Sequence, residues 1–521
     1  MKHNKIKKNQ TFTLFGSLKK IISGTGLSRI FGLIRDISTT SLMGASIYHD
    51  IFVITLKIPN LFRRFFAEGA FNQAFIPIYS DYEKIGNKKE TVNFLNAIAG
   101  SLIVVLFLFT ILVLLFAPIF ILIFAPGFYF DPEYQETAIK TLRIMFPYLA
   151  LISLVAFAGG IQNTHQKFSV PAFTPIVFNL CLIIAALIIA PIYELPIYVL
   201  AWSVLLAGFL QLLIQIAPLL IIERLPIPKI DFKNPGVKKF FRLIFPAILA
   251  GGIIQINLLI DTIFASLLDE GSPTWLYISD RIIQFPMGVF AIAIGTILLP
   301  ILSKIDINQN KEEFILNIEK GKRFVLFIGL PSLIGLFFCS EDLISTIFYR
   351  GEFDITDVQN SSYSLVALSF GLPFFMLMKI LTPAFFARKD TKTPMYVALI
   401  ALILNASLNY ILAFILELGH VGIAYGSSIS ALVSVFILEI ILYRQGFVKI
   451  KNIFNSFNFS LLVSCGALAI FLQFYTSNTY FIDYSQFERF GYLSIEVIFS
   501  MLIYFGVARL FLKKPIKELF S

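Results

Sequence analysis

Twelve ionisable side chains lie within long apolar stretches of the sequence, where an isolated charge is costly and therefore indicates function. The seven cations are Arg29, Arg35, Lys57, Arg63, Arg64, Arg281 and Lys379. The five anions are Asp36, Asp50, Glu68, Asp261 and Asp280. Because these acids cannot neutralise every cation, the excess predicts a positively charged cavity with an anionic ligand. Arginine predominates, and its planar guanidinium suits phosphate, so we expect a phosphate or pyrophosphate.

Helical spacing at 3.6 residues per turn places two groups of these side chains on shared helix faces. The groups are Arg29 with Asp36, and Lys57 with Asn60 and Arg64. Arg35 and Arg63 lie about 120° from these faces, so they reach the same cavity only where the helix is locally broken. Gly24, Gly26 and Pro59 are suitable positions for such breaks. Alternatively, the side chain of Arg63 or of its neighbour Arg64 extends to the edge of the apolar layer.

Ordinary structural roles remain open for part of the set. Asp36 and Asp280 each follow or precede an arginine that they can neutralise, and we group them with Glu68 as gating or charge-balancing residues. Lys57 can pair with Asp50, seven residues earlier on the same helix face. The remaining cations are then the candidates for binding the anion.

The composition places these charges in a membrane. The chain has 521 residues, of which 57% are hydrophobic and 14% are charged, and its mean hydropathy is +0.81. A soluble domain is about 25% charged, whereas this apolar content is enough for about fourteen spans of about 20 residues each. The numbers exclude a soluble enzyme with one core and an outer-membrane barrel. We predict an all-α polytopic membrane protein with about 14 transmembrane helices.

The loops between these spans alternate in charge. One set is rich in lysine and arginine, and the other is acidic, with Arg350 and Arg489 as its clear cations. Positive loops face the cytoplasm, so both termini are expected to be cytoplasmic. The net charge of +10 is therefore attributed to cytoplasmic loops, and no nucleic-acid partner is expected.

The sequence shows no pattern for catalysis. Three cysteines lie in apolar runs without paired spacing, and four histidines are scattered. Neither a phosphate-binding glycine-rich loop nor a Ser/His/Asp set is present. We therefore predict a protein that is not an enzyme and that is not driven directly by ATP.

An internal repeat of about 225 residues divides the chain. Five pairs of positions match at shifts of 223 to 226: Asp36 with Asp261, Pro77 with Pro300, Gly127 with Gly351, Pro147 with Pro373, and Asn179 with Asn405. The predicted domains are an N-lobe of six spans (1–225), a C-lobe of six spans (226–452) and a C-terminal helix pair (453–521). Parallel repeats of this kind bind substrate between the lobes and alternate their access.

Residues 26–82 carry the pattern SR…G..RD…G……D.F…K.PN..RR.FAEGAF.QAF.P, which closely resembles the MurJ (MviN) family. Residues 279–304 and 388–394 resemble it too, and the resemblance covers about residues 12–450. It implies a MATE-like fold of the MOP superfamily, with the last two helices forming a groove for a lipid tail. It also implies a lipid II flippase of peptidoglycan biosynthesis in the bacterial inner membrane.

The resemblance implies roles for individual residues. The family's cavity arginines fall on Arg29, Arg35, Arg63 and Arg281, and Asp50, Asn60 and Lys57 complete the predicted substrate-binding set. A glutamate of the family is replaced by Gln284. No cofactor is expected apart from a sodium ion, whose implied ligands are Asp261, Asn405, Asn409 and the carbonyl of Val421. Asn409 stands where the family pattern has an aspartate.

The expected substrate is undecaprenyl-pyrophosphate-linked MurNAc-pentapeptide-GlcNAc, moved outward by alternating access under the membrane potential, with a cation gradient as a further source of energy. The resemblance implies membrane lipids as neighbours, a functional monomer, and association with cell-wall synthesis proteins. Two alternatives remain. One is a flippase for another undecaprenyl-linked oligosaccharide, and the other is a MATE-type drug exporter, which the excess of arginine disfavours.

Overall fold

The computed structural model describes residues 27–66, 70–448, 456–476 and 483–511. Every element of three or more residues within these ranges is a helix, and one isolated bridge joins Arg350 to Phe353. Glu68, predicted as a gating or charge-balancing residue, lies outside the described residues, and so do Gly24 and Gly26.

The first eleven helices cover residues 27 to 266. They are α1 (27–43), α2 (Ile47–Phe66), α3 (Ala70–Ile85), α4 (Lys88–Leu115), α5 (Ala117–Phe124), α6 (Pro126–Phe130), α7 (Pro132–Met145), α8 (Tyr148–Thr164), α9 (Ser169–Ile184), α10 (Pro196–Ile221) and α11 (Pro235–Ser266). The predicted break at Pro59 is wrong, because α2 continues through this proline. Prolines are tolerated in membrane helices when neighbouring groups satisfy the freed backbone.

The remaining nine helices follow Gly271. They are α12 (Ser272–Pro286), α13 (Ile292–Lys304), α14 (Lys311–Phe338), α15 (Ser340–Phe348), α16 (Ile355–Phe386), α17 (Lys392–Tyr410), α18 (Gly419–Arg444), α19 (Ser456–Thr476) and α20 (Gln486–Phe511). Eleven helical stretches of the described residues are long and apolar enough to cross a membrane. The protein is therefore an all-α, multi-pass membrane protein, as its composition predicts.

The helices reproduce the sequence repeat. Helices α4 and α14 each have 28 residues, and their first residues are 223 positions apart. Helices α10 and α18 each have 26 residues at the same shift. Both α9 and α17 continue into a π-helical segment, Ala185–Ile189 and Ile411–Ile415, at a shift of 226. The repeat thus extends from single residues to whole helices and their irregularities.

The chain divides into two compact units, Met1–Leu267 and Leu268–Ser521. Helix α11 belongs to the first unit, where the Gly127 backbone N–H donates to Ser266 Oγ at 3.3 Å. A Cβ on Gly127 would lie 1.6 Å from the Ser266 carbonyl oxygen, so only glycine allows this approach. The boundary between the two compact units therefore falls one helix later than the boundary at residue 225 that the sequence repeat predicts. The predicted lobes stay a prediction.

The C-terminal helices α19 and α20 pack against α14 within the second unit. The Tyr504 hydroxyl donates to the Phe327 carbonyl at 2.7 Å, and Ser460 Oγ donates to the Ala508 carbonyl at 3.2 Å. Phe327 and Phe457 are in ring contact, and a buried apolar cluster surrounds them. The end of the pair where α19 begins and α20 ends is thereby fixed to α14.

Candidate functional site

Arg35 is held by two neighbours in the first unit. Its Nε and Nη2 donate to Asp36 Oδ1 at 3.0 and 2.6 Å, and its Nη1 donates to Asn179 Oδ1 at 3.2 Å. The Asp36 side chain is 2% exposed and that of Arg35 is 12% exposed. The guanidinium therefore forms an ion pair within α1, and its hydrogen bond to Asn179 joins α1 to α9.

Asn179 completes this junction, because its Nδ2 donates to the Ser28 carbonyl at 3.2 Å. Sequence reasoning identified Asn179 only as an anchor of the repeat and missed its role as a partner of Arg35. Its signal is an amide within an apolar span, at the repeat position that Asn405 occupies in the second half.

Arg29 has a different environment on the same helix. It is exposed, and it has no hydrogen bond or ion pair with another residue in the described ranges. Arg29 and Arg35 lie about 120° apart around a regular helix, and α1 is unbroken from residue 27 to 43. Arg29 is therefore the cation of α1 that is available to a ligand.

Helix α2 carries four of the predicted binding residues. Asp50 is fully buried in its first turn, whereas Arg63 is half-buried in its last turn. The Lys57 Nζ donates to Thr262 Oγ1 of α11 at 3.3 Å, and Asn60 Nδ2 donates to the Leu56 carbonyl at 3.0 Å. Thr262 was not foreseen as a partner of Lys57, since helix spacing within α2 indicates only Asp50.

The second unit holds the other predicted cavity arginine. Arg281 is half-buried on α12, and its neighbour Asp280 accepts a hydrogen bond from Gln284 Nε2. Gln284, one turn later, is thus a partner of the acid. Helix α12 continues into the π-helical segment Met287–Ala291, and π-helical turns often mark functional sites.

The predicted sodium ligands fall in both units. Asp261 is half-buried and belongs to the first, whereas Asn405 and Asn409 are fully buried on α17 of the second. A Cβ on Gly426 would lie 2.3 Å from Asn409 Oδ1, so the amide is pressed against the backbone of α18. Val421, on α18, is half-buried. Among the described residues, no three His, Cys, Asp or Glu side chains form a metal-binding group.

A charged cluster at the end of α3 was also missed. Arg224 Nε donates to Glu83 Oε1 at 2.8 Å, and the Tyr79 hydroxyl donates to the same oxygen at 2.8 Å. The hydrogen bond that Arg224 donates to Glu83 raises the pKa of Arg224 above its already high ordinary value. Nearby, Lys88 pairs with Glu223, and both side chains are exposed. The cluster ties α3 to the end of α10.

Comparison with known sequences identifies close relatives. A family model described as "Lipid II flippase MurJ" matches residues 39–489. The probable lipid II flippase MurJ of Vibrio cholerae is 39% identical over 429 residues, which are 81% of this chain and 81% of that protein. The probable lipid II flippase MurJ of Rickettsia prowazekii is 35% identical over 507 residues, with 96% and 98% of the two chains covered.

Solved structures agree with the family match. A lipid II flippase MurJ in an inward closed conformation aligns with a TM-score of 0.77 and 27% identity, covering 94% of this chain and 98% of that one. An inward-facing multidrug resistance MATE transporter of the MOP superfamily aligns with a TM-score of 0.62 and 14% identity, covering 81% and 94%. The second similarity concerns the fold alone, and it agrees with the predicted MATE-like architecture.

Proposed function

Since the chain belongs to the lipid II flippase MurJ family, we propose that it moves lipid II from the inner to the outer leaflet of the bacterial cytoplasmic membrane. It is a transporter and catalyses no chemical reaction. Lipid II supplies precursor for peptidoglycan, so the protein serves cell-wall biosynthesis. Because the loops alternate between basic and acidic and both termini belong to the basic set, the positive-inside rule favours cytoplasmic termini.

The observation that carries this proposal is the exposed Arg29 on an apolar helix. A guanidinium in that position requires water or an anion, and no described residue pairs with it. Arg29, Arg63 and Arg281 are our candidates for binding the pyrophosphate, whereas Arg35 is already engaged by Asp36. Arginine is the residue best suited to bidentate phosphate binding.

The membrane potential supplies the direction of transport. Moving one charge through the potential changes its free energy by about 2.3 kcal/mol per 100 mV. The cytoplasm is negative, so outward movement of a lipid-borne dianion is favoured, and the emptied cationic site returns in the opposite sense. Both half-cycles therefore run downhill without ATP.

The C-terminal helices are suited to the prenyl tail. Helix α20 exposes large apolar side chains along its length, including Phe487 at 90% and Leu510 at 80% exposure. Such a surface is compatible with an acyl or prenyl chain in the membrane. We propose that the tail stays in the lipid along α19 and α20 while the pyrophosphate crosses. We also propose that a monomer is sufficient for transport and that cell-wall synthesis proteins bind to it.

A sodium ion is also part of the proposal. In the first repeat, Asp36 and Asn179 bind a cation, the guanidinium of Arg35. The corresponding positions of the second repeat are Asp261 and Asn405, but Ile260 stands in place of the arginine. The carboxylate and amide oxygens at these two repeat positions are of the kind that hard cations such as sodium prefer. Sodium-dependent thermal stabilisation of the purified protein should disappear in Asp261→Asn.

Replacement of Arg29, Arg63 or Arg281 by alanine tests the transport proposal. We expect each variant to fail to deliver lipid II to the outer leaflet in cells depleted of their own flippase. Arg143→Ala is the matched control, because Arg143 donates to the Leu114 carbonyl at 3.1 Å outside the proposed site. Full lipid II delivery by all three variants would refute the assignment, and delivery of a different undecaprenyl-linked glycan would change the substrate.

A further inference from the structure

Two buried acids lie where the C-terminal helix pair packs on the rest of the second unit. Glu496 lies on α20 and is 0% exposed, and Asp342 lies on the short helix α15 and is 7% exposed. Their charges act on each other and on the thiol of Cys339, which lies between α14 and α15. We name Glu496 and Asp342 the acid pair. The proposed transport cycle makes no use of it.

The acid pair has no cation of its own in the described part of the chain. Both carboxylate oxygens of Glu496 and the Oδ2 of Asp342 are buried there without a nitrogen or oxygen donor, and the weakly donating Cys339 thiol is the hydrogen-bonding neighbour of Glu496. By contrast, Glu439 on α18 is an acid of the same unit that pairs with Lys322. A buried carboxylate needs a counter-ion or a proton, so the acid pair needs a ligand.

The neighbouring arginines do not fill this role. Arg489 donates to the carbonyls of Tyr484 and Ser345 at 2.9 and 3.0 Å, and Arg350 donates to the Thr346 carbonyl at 3.0 Å. These hydrogen bonds direct both guanidinium groups to backbone oxygens of α15 and of the loop that precedes α20.

The other titratable groups around the acid pair are acidic or neutral. Cys339 and Glu341 lie on its α14–α15 side, Tyr475 faces it from α19, and Tyr492 precedes Glu496 on α20. The Tyr475 hydroxyl donates to the Tyr492 carbonyl at 3.3 Å. Burial and the charge of Glu496 raise the pKa of Asp342 to about 8. A proton is the smallest ligand that relieves two adjacent buried carboxylates.

We propose that Glu496 and Asp342 form a proton-binding site that holds the C-terminal helix pair to the rest of the second unit. With one proton shared between them, the acid pair carries a single negative charge, and α20 stays packed on α15. Loss of that proton places two negative charges side by side in a buried site and favours separation of the two helices. The attachment of the helix pair is thereby linked to pH, independently of substrate binding.

Infrared spectroscopy of the purified full-length protein tests the site. We expect a carbonyl band of a protonated carboxyl group at neutral pH, shifted in heavy water, which disappears as the pH is raised. Glu496→Gln should lower the midpoint of this titration by about one pH unit or more, because the neighbouring charge is gone. Asp342→Asn should also change it, whereas Glu439→Gln should leave the band unchanged because that acid is paired with Lys322.

Three results would overturn the assignment. A spectrum without the band at pH 6 would mean that both acids are ionised. A titration midpoint that is the same in the unchanged protein, in Glu496→Gln and in Asp342→Asn would place the proton elsewhere. A band that appears only without sodium, and vanishes when sodium chloride replaces choline chloride, would make a metal cation the ligand. Should Glu496→Gln fail to fold, Asp342→Asn alone decides.

Discussion

The ion pair between Arg35 and Asp36 allows the structural and transport roles of an arginine to be separated. Removing one partner of a buried pair costs about 3–5 kcal/mol, whereas replacing both by apolar residues is often nearly neutral. Since the Arg35 side chain keeps 12% exposure, we expect about 3 kcal/mol for Arg35→Met and for Asp36→Leu. The double variant should lose only about 1–2 kcal/mol, because Asn179 Oδ1 then lacks its donor.

Equilibrium unfolding in mixed micelles, followed by helical circular dichroism as a denaturing detergent is added, measures these differences. Arg29→Met is the matched control, since this exposed arginine has no partner in the described ranges, and it should change the free energy of unfolding by less than about 0.5 kcal/mol. If the two single changes add in the double variant, Arg35 and Asp36 do not stabilise each other. Lipid II delivery by a stable double variant would further show that Arg35 serves structure alone.

Three other predictions concern packing and charge. Gly127→Ala should destabilise the protein by more than about 3 kcal/mol because of the clash with α11, whereas Gly335→Ala, with open space around it, should stabilise by about 0.4–1 kcal/mol; thermal unfolding compares them. Arg224→Gln should cost about 1–3 kcal/mol, and Lys88→Gln should leave stability unchanged because its ion pair is exposed. Burial and the charge of Glu496 raise the pKa of Asp342 from 3.8 to about 8 in the folded protein. The protonated acid therefore contributes fully to the free energy of unfolding below pH 3.8, and this contribution is lost as the pH rises through 8. Asp342→Asn should abolish this loss in unfolding scans between pH 5 and 9.

The sequence predicts the fold well because hydropathy and repetition are properties of single positions. The apolar stretches become helices, and α4 and α14, which are related by the repeat shift, have equal lengths. The break expected at Pro59 fails, since a proline removes only one donor and leaves a long helix intact. The division after Leu267 depends on how α11 packs, which no linear pattern records.

The charged residues show where prediction from sequence ends. Their presence within spans was visible, but their partners depend on how one helix is rotated against another. Asn179 lies 144 positions from Arg35, and Thr262 lies 205 positions from Lys57. Spacing along one helix could suggest only local pairs such as Lys57 with Asp50. The acid pair required the three-dimensional arrangement, because Asp342 and Glu496 lie on separate helices far apart in the sequence.

The π-helical segments that follow α9 and α17, Ala185–Ile189 and Ile411–Ile415, indicate how the repeat arose. Each holds a residue more than an ordinary turn would, and such insertions weaken the hydrogen bonding around them. Two independent insertions at equivalent places would be a coincidence, whereas one ancestral insertion copied with its helix needs a single event. The irregularity is then older than the doubling of the gene, and both descendants have kept it through all later divergence of their side chains.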